Sequence, residues 1–510
     1  MYNGRIYPEG NPRVHFQALA VWKGRVIDLA SDSEILNLRT RQTRTVNLQG
    51  RVVLPGFCDS HIHLLNYGTL LRTLDLTKAR SIGEIKTLVA EASRQKRKNQ
   101  WILGRGWDDE KLLEHRYPDR RDLDQVTSNP VFLKRVCGHV AIANSKALSM
   151  SRVHSDTMDP EGGVIVKDLK GTPNGILRER AIELVEKAVP QFADETGKAL
   201  VLASRRLAKL GITSLHCIVS DLNELVGLRK LKHDGKILQS IYAIVPLKLL
   251  DQLLAFGLTT ERSGDGFRIG GLKLFLDGSL GAHTAALNVA YADNVGSKGM
   301  LTMSHGSLER IAKKATDAGF QLCIHAIGDR AVELAIRVLE SLGTKSCRAL
   351  RHRIEHASLT TNDSILKMKR LGVIASVQPR FIFSDTWAKE RLGSNRLQNL
   401  YPFASFSRAG IVVAAGSDCP VEDPNPFEGI WSAVARPGLD RSEALSVSQA
   451  VACYSRNAAY ASFCEGERGK LNPGMMADMV VVDQDPFAIG IDAVRKTRVV
   501  QTIIEGRVVS

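Results

Sequence analysis

Two histidines separated by one residue, His61 and His63, are the first side chains in this chain that suggest chemistry. They follow the apolar run 52–54 and the turn-forming pair 55–56, so the sequence predicts a β-strand here. Alternate residues of a strand point to the same side, and both imidazoles would face one point in space. Such a pair can bind a transition metal, although the same spacing also occurs in strands whose histidines are simply packed.

Four further polar side chains occupy comparable places along the chain. Each lies at or near the carboxyl end of a short apolar segment: Lys273, His325, His356 and Asp418. One histidine in such a place is more often a packed core residue than a ligand, but six potential ligands at strand ends favour a metal site. We expect His352 to share a strand face with His356 and to be a packed or hydrogen-bonded core residue.

The elements that must position these side chains alternate between strands and helices. Segments with helical periodicity separate eight predicted strands, at 54–63, 211–216, 237–245, 271–277, 320–325, 352–356, 373–378 and 411–418. This alternation predicts an α/β protein with a (β/α)8 TIM-like barrel, whose active site lies at the carboxyl ends of the strands.

Two parts of the chain fall outside this pattern. Residues 67–199 are far too long for a loop between the first two strands, and we interpret them as an inserted subdomain near the barrel mouth. Both ends of the chain are rich in short predicted strands, and we expect residues 1–54 and 464–510 to form one small β-sandwich. The barrel would then comprise residues 55–66 and 200–463.

Composition limits the class of protein. No apolar stretch of about 18 residues predicts a membrane span, and the first residues lack the apolar core of a signal peptide. The eight cysteines are scattered singly, which indicates reduced thiols and a cytoplasmic protein. The net charge of +15 is dispersed except at 94–98, so we expect a solvated basic surface and no nucleic-acid partner. The expected partner is a small-molecule substrate, and a homo-oligomer is compatible with the sequence.

Longer motifs surround the residues named above and extend over nearly the whole chain. They lie at 54–63, 138–139 with 144–148, 211–216, 277–281, 325–331, 353–357, 416–421 and 472–478. Together these motifs resemble the amidohydrolase superfamily, and more narrowly the YtcJ-like family that includes N-substituted formamide deformylase.

The resemblance implies a metal-dependent hydrolase that acts on a C–N bond other than a peptide bond, such as an amide or formamide. By position it implies that the metal ligands are His61, His63, His325, His356 and Asp418. Lys273 matches a lysine that binuclear members carry as a carbamate; an ammonium beside two cations is strongly disfavoured. We therefore expect one or two divalent ions, with zinc preferred over iron, manganese and nickel, and a carboxylated Lys273 if the site is binuclear.

Asp418 is the expected catalytic residue. A divalent metal lowers the pKa of bound water to about 7, and the resulting hydroxide would attack a polarised carbonyl. Asp418 would take the proton and pass it to the leaving nitrogen. Four residues are candidates for substrate contact, although each could equally be structural: Trp107, His139, His216 and His283.

Two other classes of function fit the same residues. A mononuclear, deaminase-type amidohydrolase would use these ligands with one metal ion and attack an aromatic amidine carbon. A non-catalytic binding protein could keep the fold without activity, because a fold does not determine a function. The number of metal ions, ammonia release and a broad panel of N-acyl and N-formyl compounds distinguish these alternatives.

Overall fold

The computed structural model describes residues 1–135, 139–189, 193–261, 264 and 266–510. These residues form two compact units, Met1–Tyr67 with Leu200–Ser510, and Gly68–Ala199. None of the described helices combines the length and the apolar character that crossing a bilayer requires. The division into a sandwich domain, a barrel and an insertion, with the boundaries given above, stays a prediction.

The larger unit is organised around a parallel sheet that has eight strands within the described residues. They are β1 (Phe57–Ile62), β2 (Ile212–Ile218), β3 (Ser240–Pro246), β4 (Phe267–Phe275), β5 (Leu322–Ala326), β6 (Arg353–His356), β7 (Ile374–Val377) and β8 (Val413–Ala415). Each strand pairs with the next one along the chain. Backbone hydrogen bonds from Asp418 to His61 (2.7 Å) and from His63 to Cys419 (2.9 Å) bring β8 against β1. The sheet is thereby an almost closed barrel, and the predicted TIM-like α/β fold is confirmed.

The barrel strands are largely buried because both of their faces are covered. Every residue of β7 is buried, as are six of the seven residues of β3, which is typical of parallel strands that are packed on both sides. The helix Asn362–Leu371 shows the matching pattern, since it buries Ile365, Met368 and Leu371 along one face.

The α-helices that lie wholly within the larger unit are Asp32–Asn37, Leu222–His233, Leu250–Ala255, His305–Asp317, Asp329–Ser341, Thr344–Leu350, Asn362–Leu371, Phe381–Ser384, Ala388–Leu392, Phe403–Arg408, Pro426–Ala435, Val447–Cys453, Arg456–Ala461 and Ile491–Val494. The chain leaves this unit within the helix Leu64–Leu71 and returns to it within the helix Ala193–Ala208. The seven cysteines that the structure describes are free and buried.

Residues from both ends of the chain meet in a second, five-stranded sheet of the larger unit. Its strand order is Arg5–Ile6, Val52–Pro55, Met479–Val482, Val499–Ile504 and Arg507–Val508. The hairpin Ala18–Trp22 and Arg25–Ala30 shares a buried cluster with it, in which Leu19 and Val26 join Val53 and Met479. Because these strands belong to the same compact unit as the barrel, a separate β-sandwich domain stays a prediction.

The smaller unit contains a six-stranded mixed sheet within its described residues. The strand order is Gly163–Lys167, Pro173–Glu179, Val140–Ala143, Val131–Arg135, Ile102–Trp107 and Leu74–Asp75. Its short helices are Ile82–Arg94, Arg120–Asp124, Ser145–Met150 and Ile182–Glu186. Neighbouring residues Phe132 and Leu133 belong to different hydrophobic clusters, so the sheet is covered on both faces. Gly138 of the motif at 138–139 lies outside the described residues.

Candidate metal centre

Three of the predicted ligands converge at the carboxyl ends of β1 and β8. Oδ1 of Asp418 lies 3.5 Å from Nε2 of His61 and 3.3 Å from Nε2 of His63. One donor atom from each residue lies within 4.8 Å of the other two. Ligands about 2.1 Å from one tetrahedral ion are about 3.4 Å apart. His61 is buried and His63 keeps a quarter of its side chain exposed, so the group has one side open to solvent.

The hydrogen bonds of His61 determine which of its nitrogens faces this group. Nδ1 lies 2.5 Å from Oε2 of Glu355, and burial lowers the His61 pKa to about 4, so the ring is neutral. The single ring proton therefore lies on Nδ1, because a carboxylate only accepts. Nε2 and Oδ1 of Asp418 are then two facing acceptors, an arrangement that a cation between them would stabilise. The residues present thus fit a divalent metal.

His325 and His356 extend the group of imidazoles. The ring centroid of His356 lies 4.9 Å from that of His61 and 4.5 Å from that of His325. Nδ1 of His356 lies 2.7 Å from Oε1 of Gln378, and Nε2 of His325 lies 3.0 Å from the carbonyl of Gly278. Burial lowers the pKa of His325 to about 3 and that of His356 well below its usual value. Both rings are neutral at pH 7, as metal binding requires.

Lys273 lies on β4 with its ammonium nitrogen 3.4 Å from Nε2 of His61. Burial lowers its pKa, although Glu355 and Asp418 oppose this effect. The alternative to a carboxylated Lys273 is a lysine in an ion pair, for which the sequence offers Asp277 as a candidate. In the structure, the Asp277 carboxylate accepts hydrogen bonds from the backbone of Ala286, Ile327 and Gly328 at 2.8–3.0 Å. The neutral amine, which burial favours, is the form that can add CO2.

Asp59 connects the two chain segments that carry the three converging ligands. Its carboxylate accepts hydrogen bonds from the backbone N–H of His61 (3.1 Å) and Ser417 (3.0 Å), and from the Ser417 hydroxyl (2.5 Å). Gly416 allows this close approach of the two segments, since a Cβ there would lie 2.4 Å from the backbone nitrogen of His61. Burial raises the Asp59 pKa to about 7, against the effect of these hydrogen bonds.

The backbone of β6 differs from the expected alternation. His352 faces outward, where its Nδ1 accepts a hydrogen bond from the backbone of Leu322 at 3.0 Å and Nε2 lies 3.4 Å from the hydroxyl of Thr316. The residues that face His61 are Arg353 and Glu355. His356 reaches the imidazole group because its backbone is left-handed, with φ of 73°. The expected shared face of His352 and His356 was wrong for this reason, whereas the packed role of His352 fits the structure.

Glu355 and Arg353 were not singled out from the sequence as functional residues. Burial alone would raise the pKa of Glu355, but the Arg353 guanidinium and His61 hold it well below its usual value. The motif at 353–357 contains both residues, and an arginine two positions from a glutamate on a buried strand is a sign of an internal ion pair.

The four candidates for substrate contact lie in different surroundings. His216 is buried on β2 and accepts a hydrogen bond from Arg353 (2.8 Å), while Nε2 of the half-buried His283 lies 3.0 Å from Asp293. In the smaller unit, Trp107 is fully buried and donates to the Leu133 carbonyl (3.1 Å). His139 is exposed there, with Nδ1 2.9 Å from Glu179. Substrate contact by these four residues stays a prediction.

An eight-stranded parallel barrel with histidines and an aspartate converging at its strand ends is the architecture of a barrel hydrolase. The family model described as "Amidohydrolase family" matches residues 44–510. The chain therefore belongs to the amidohydrolase family, and the resemblance to YtcJ-like members is confirmed by the relatives below.

The protein YtcJ of Bacillus subtilis strain 168, which is named as an amidohydrolase, is 33% identical over 92% of this chain and 90% of its own length. N-substituted formamide deformylase of Arthrobacter pascens is 26% identical over 96% of this chain and 94% of its own length. The crystal structure of an uncharacterized metal-dependent hydrolase from Pyrococcus furiosus superposes with a TM-score of 0.83 at 32% identity. That match covers 95% of this chain and 99% of the other.

Proposed function

We propose that this amidohydrolase is metal-dependent and hydrolyses a C–N bond other than a peptide bond in an amide or formamide-like small molecule. The convergence of His61, His63 and Asp418 on one point is the observation that carries the proposal. Similarity to N-substituted formamide deformylase supports the bond type, and similarity to a metal-dependent hydrolase of Pyrococcus furiosus supports the need for a metal.

The residues that would hold the metal are those at the carboxyl ends of the barrel strands: His61, His63, Lys273, His325, His356 and Asp418. Among them, Asp418 is the one carboxylate, and His61, His325 and His356 are neutral at pH 7 because burial lowers their pKa. Two divalent ions would therefore bring a large excess of positive charge into a buried site. Carboxylation of Lys273 would replace a cation by an anionic oxygen ligand, and we propose it for a binuclear site. Zinc is the preferred ion.

A bound metal ion would polarise the substrate carbonyl and would lower the pKa of the water molecule bound to it to about 7. Asp418 accepts the proton of the attacking water and returns it to the leaving nitrogen. Burial alone would raise the Asp418 pKa, but His61 and the neighbouring histidines hold it below its usual value. Asp418 is therefore ionised at neutral pH and available as a proton acceptor.

Replacement of Asp418 by asparagine tests the proton transfer. Turnover of the best substrate in a panel of N-substituted formamides and N-acyl amines should fall by about 10²–10⁴-fold, while metal content should fall little. Asp423→Asn, which changes an exposed carboxylate nearby, is the control and should keep turnover. Full activity of Asp418→Asn would refute the assignment.

Metal analysis tests the composition of the site. Elemental analysis should find one or two divalent ions per chain, and Lys273→Met should lose one ion if the lysine is a bridging carbamate. Ammonia release with one ion per chain would instead indicate a deaminase. A metal-loaded protein that hydrolyses no member of the panel would favour a binding protein.

A further inference from the structure

A buried ion pair lies on the side of His61 that faces away from the candidate metal centre. Arg353 and Glu355 are both fully buried. Nε of Arg353 lies 2.8 Å from Oε1 of Glu355, and Nη2 lies 3.1 Å from Oε2. The same Oε2 is 2.5 Å from Nδ1 of His61. One carboxylate therefore joins a guanidinium on its own strand to an imidazole on β1.

Arg353 is itself held from several strands. Nη2 donates to the carbonyl of Ser60 and to the hydroxyl of Ser376, each at 2.8 Å. Nη1 lies 2.8 Å from Nδ1 of His216, which accepts the hydrogen bond. These contacts connect β6 with β1, β2 and β7, so the position of the Glu355 carboxylate is set by four strands of the barrel.

We propose that Glu355 is a positioning residue for His61, held in place by Arg353. Its carboxylate keeps the ring proton of His61 on Nδ1, directs Nε2 toward Asp418 and makes that nitrogen a stronger donor to a metal ion. Carboxylates that accept from the far nitrogen of a ligating histidine commonly fix the tautomer and the ring orientation. The inference rests on the proposed metal site and adds a residue that does not touch the ion.

A change of Glu355 alone would leave the Arg353 charge buried and unpaired, which threatens folding. Two double variants avoid this problem because both remove the two charges together. Arg353→Met with Glu355→Gln keeps a neutral acceptor beside Nδ1 of His61. Arg353→Met with Glu355→Leu removes the acceptor, so the pair of variants differs mainly in the hydrogen bond to His61.

The readout is Co²⁺ binding to chelator-treated protein, followed by the visible absorption of the bound ion. We expect the leucine variant to bind Co²⁺ about 10–100-fold more weakly than the unchanged protein, with an altered spectrum. The glutamine variant should keep much of the Co²⁺ affinity that the leucine variant loses. The control uses a buried ion pair next to the five-stranded sheet. The double variant Arg468→Met with Asp478→Asn should lower the melting temperature and leave the Co²⁺ affinity unchanged.

The outcomes separate the two proposals. A folded leucine variant that binds Co²⁺ with unchanged affinity and spectrum would overturn the positioning role and leave the proposed function intact. Equal weakening in both double variants would also overturn it, since the acceptor would then be irrelevant. Absence of Co²⁺ binding to the unchanged protein would overturn the proposed metal site itself, and the positioning role with it.

Discussion

Replacement of His352 by asparagine should remove a measurable part of the pH dependence of unfolding. His352 is fully buried, and its Nδ1 accepts a hydrogen bond from the backbone of Leu322 at 3.0 Å. Burial lowers its pKa from 6.5 to about 3. The folded protein therefore keeps this ring neutral at pH values where the unfolded chain protonates it. Asparagine can offer a similarly placed acceptor to Leu322 but does not titrate in this range.

The sign and size of the effect follow from proton linkage. Between pH 6.5 and about pH 3 the unfolded chain binds one more proton at this residue than the folded protein does. Stability contributed by His352 is therefore complete above pH 6.5 and is lost as the pH falls, by about 1.4 kcal/mol for each pH unit. From pH 6.5 to pH 5 the loss is about 2 kcal/mol. The variant lacks this loss.

Urea unfolding at several pH values between 5 and 7.5 measures the effect, provided that the slope against urea stays constant. The variant will have its own constant penalty from altered packing. The difference in unfolding free energy between the two proteins should shift by about 2 kcal/mol in favour of the variant between pH 7 and pH 5. The matched control is His305→Asn at an exposed position, which should give a constant difference. A constant difference for His352→Asn as well would refute the argument from burial.

Three further predictions concern the metal centre and the smaller unit. Gly416→Ala should destabilise the protein by about 1–3 kcal/mol and weaken metal binding, because the added Cβ would clash with the backbone nitrogen of His61. Thermal unfolding measures the effect, and the control is Gly306→Ala, whose added Cβ would meet no atom within 4 Å. Trp107→Phe should lower the free energy of unfolding by about 1 kcal/mol or more, because the hydrogen bond to the Leu133 carbonyl is lost. A many-fold rise in KM without loss of stability would instead indicate that Trp107 contacts the substrate. Removal of metal with a chelator should lower the melting temperature, and Zn²⁺ at about 100 times its Kd should restore about 2.7 kcal/mol; an unchanged melting temperature would argue against a bound ion.

Most of the barrel strands could be predicted because they are apolar runs bounded by glycine, proline or polar residues, whereas β6 has Ile354 as its one apolar residue. Strands that are buried on both faces leave this signal in the sequence even when their pairing partners are distant. The convergence of His61, His63 and Asp418 followed from the same pattern, since the ends of neighbouring parallel strands meet at one rim of the barrel. Their exact function as ligands rests on the motifs and stays a prediction.

The sequence pattern failed where a single backbone torsion decides the direction of a side chain. Alternation assigned His352 and His356 to one face, but the left-handed conformation of His356 reverses its direction at the end of β6. The contact between Glu355 and His61 joins residues 294 positions apart, and hydrophobic periodicity contains no information about such a polar pair. The strand order of the smaller unit was not predictable either, because its sheet mixes parallel and antiparallel neighbours.

The strand Val52–Pro55 of the five-stranded sheet is separated from β1 by Gly56 alone. The Gly56 N–H donates a hydrogen bond to the carbonyl of Asp478 at 2.8 Å. The antiparallel neighbour of this strand is Met479–Val482, which is made more than 400 residues later. During synthesis, Val52–Pro55 therefore lacks this neighbour until nearly the whole polypeptide has been made, whereas β1, which bears His61, can pair with β2 much earlier. Asp418 also lies late in the chain, so the group of His61, His63 and Asp418 can assemble only towards the end of synthesis. Translation that stops short of residue 479 leaves the strand before this histidine segment without its antiparallel neighbour.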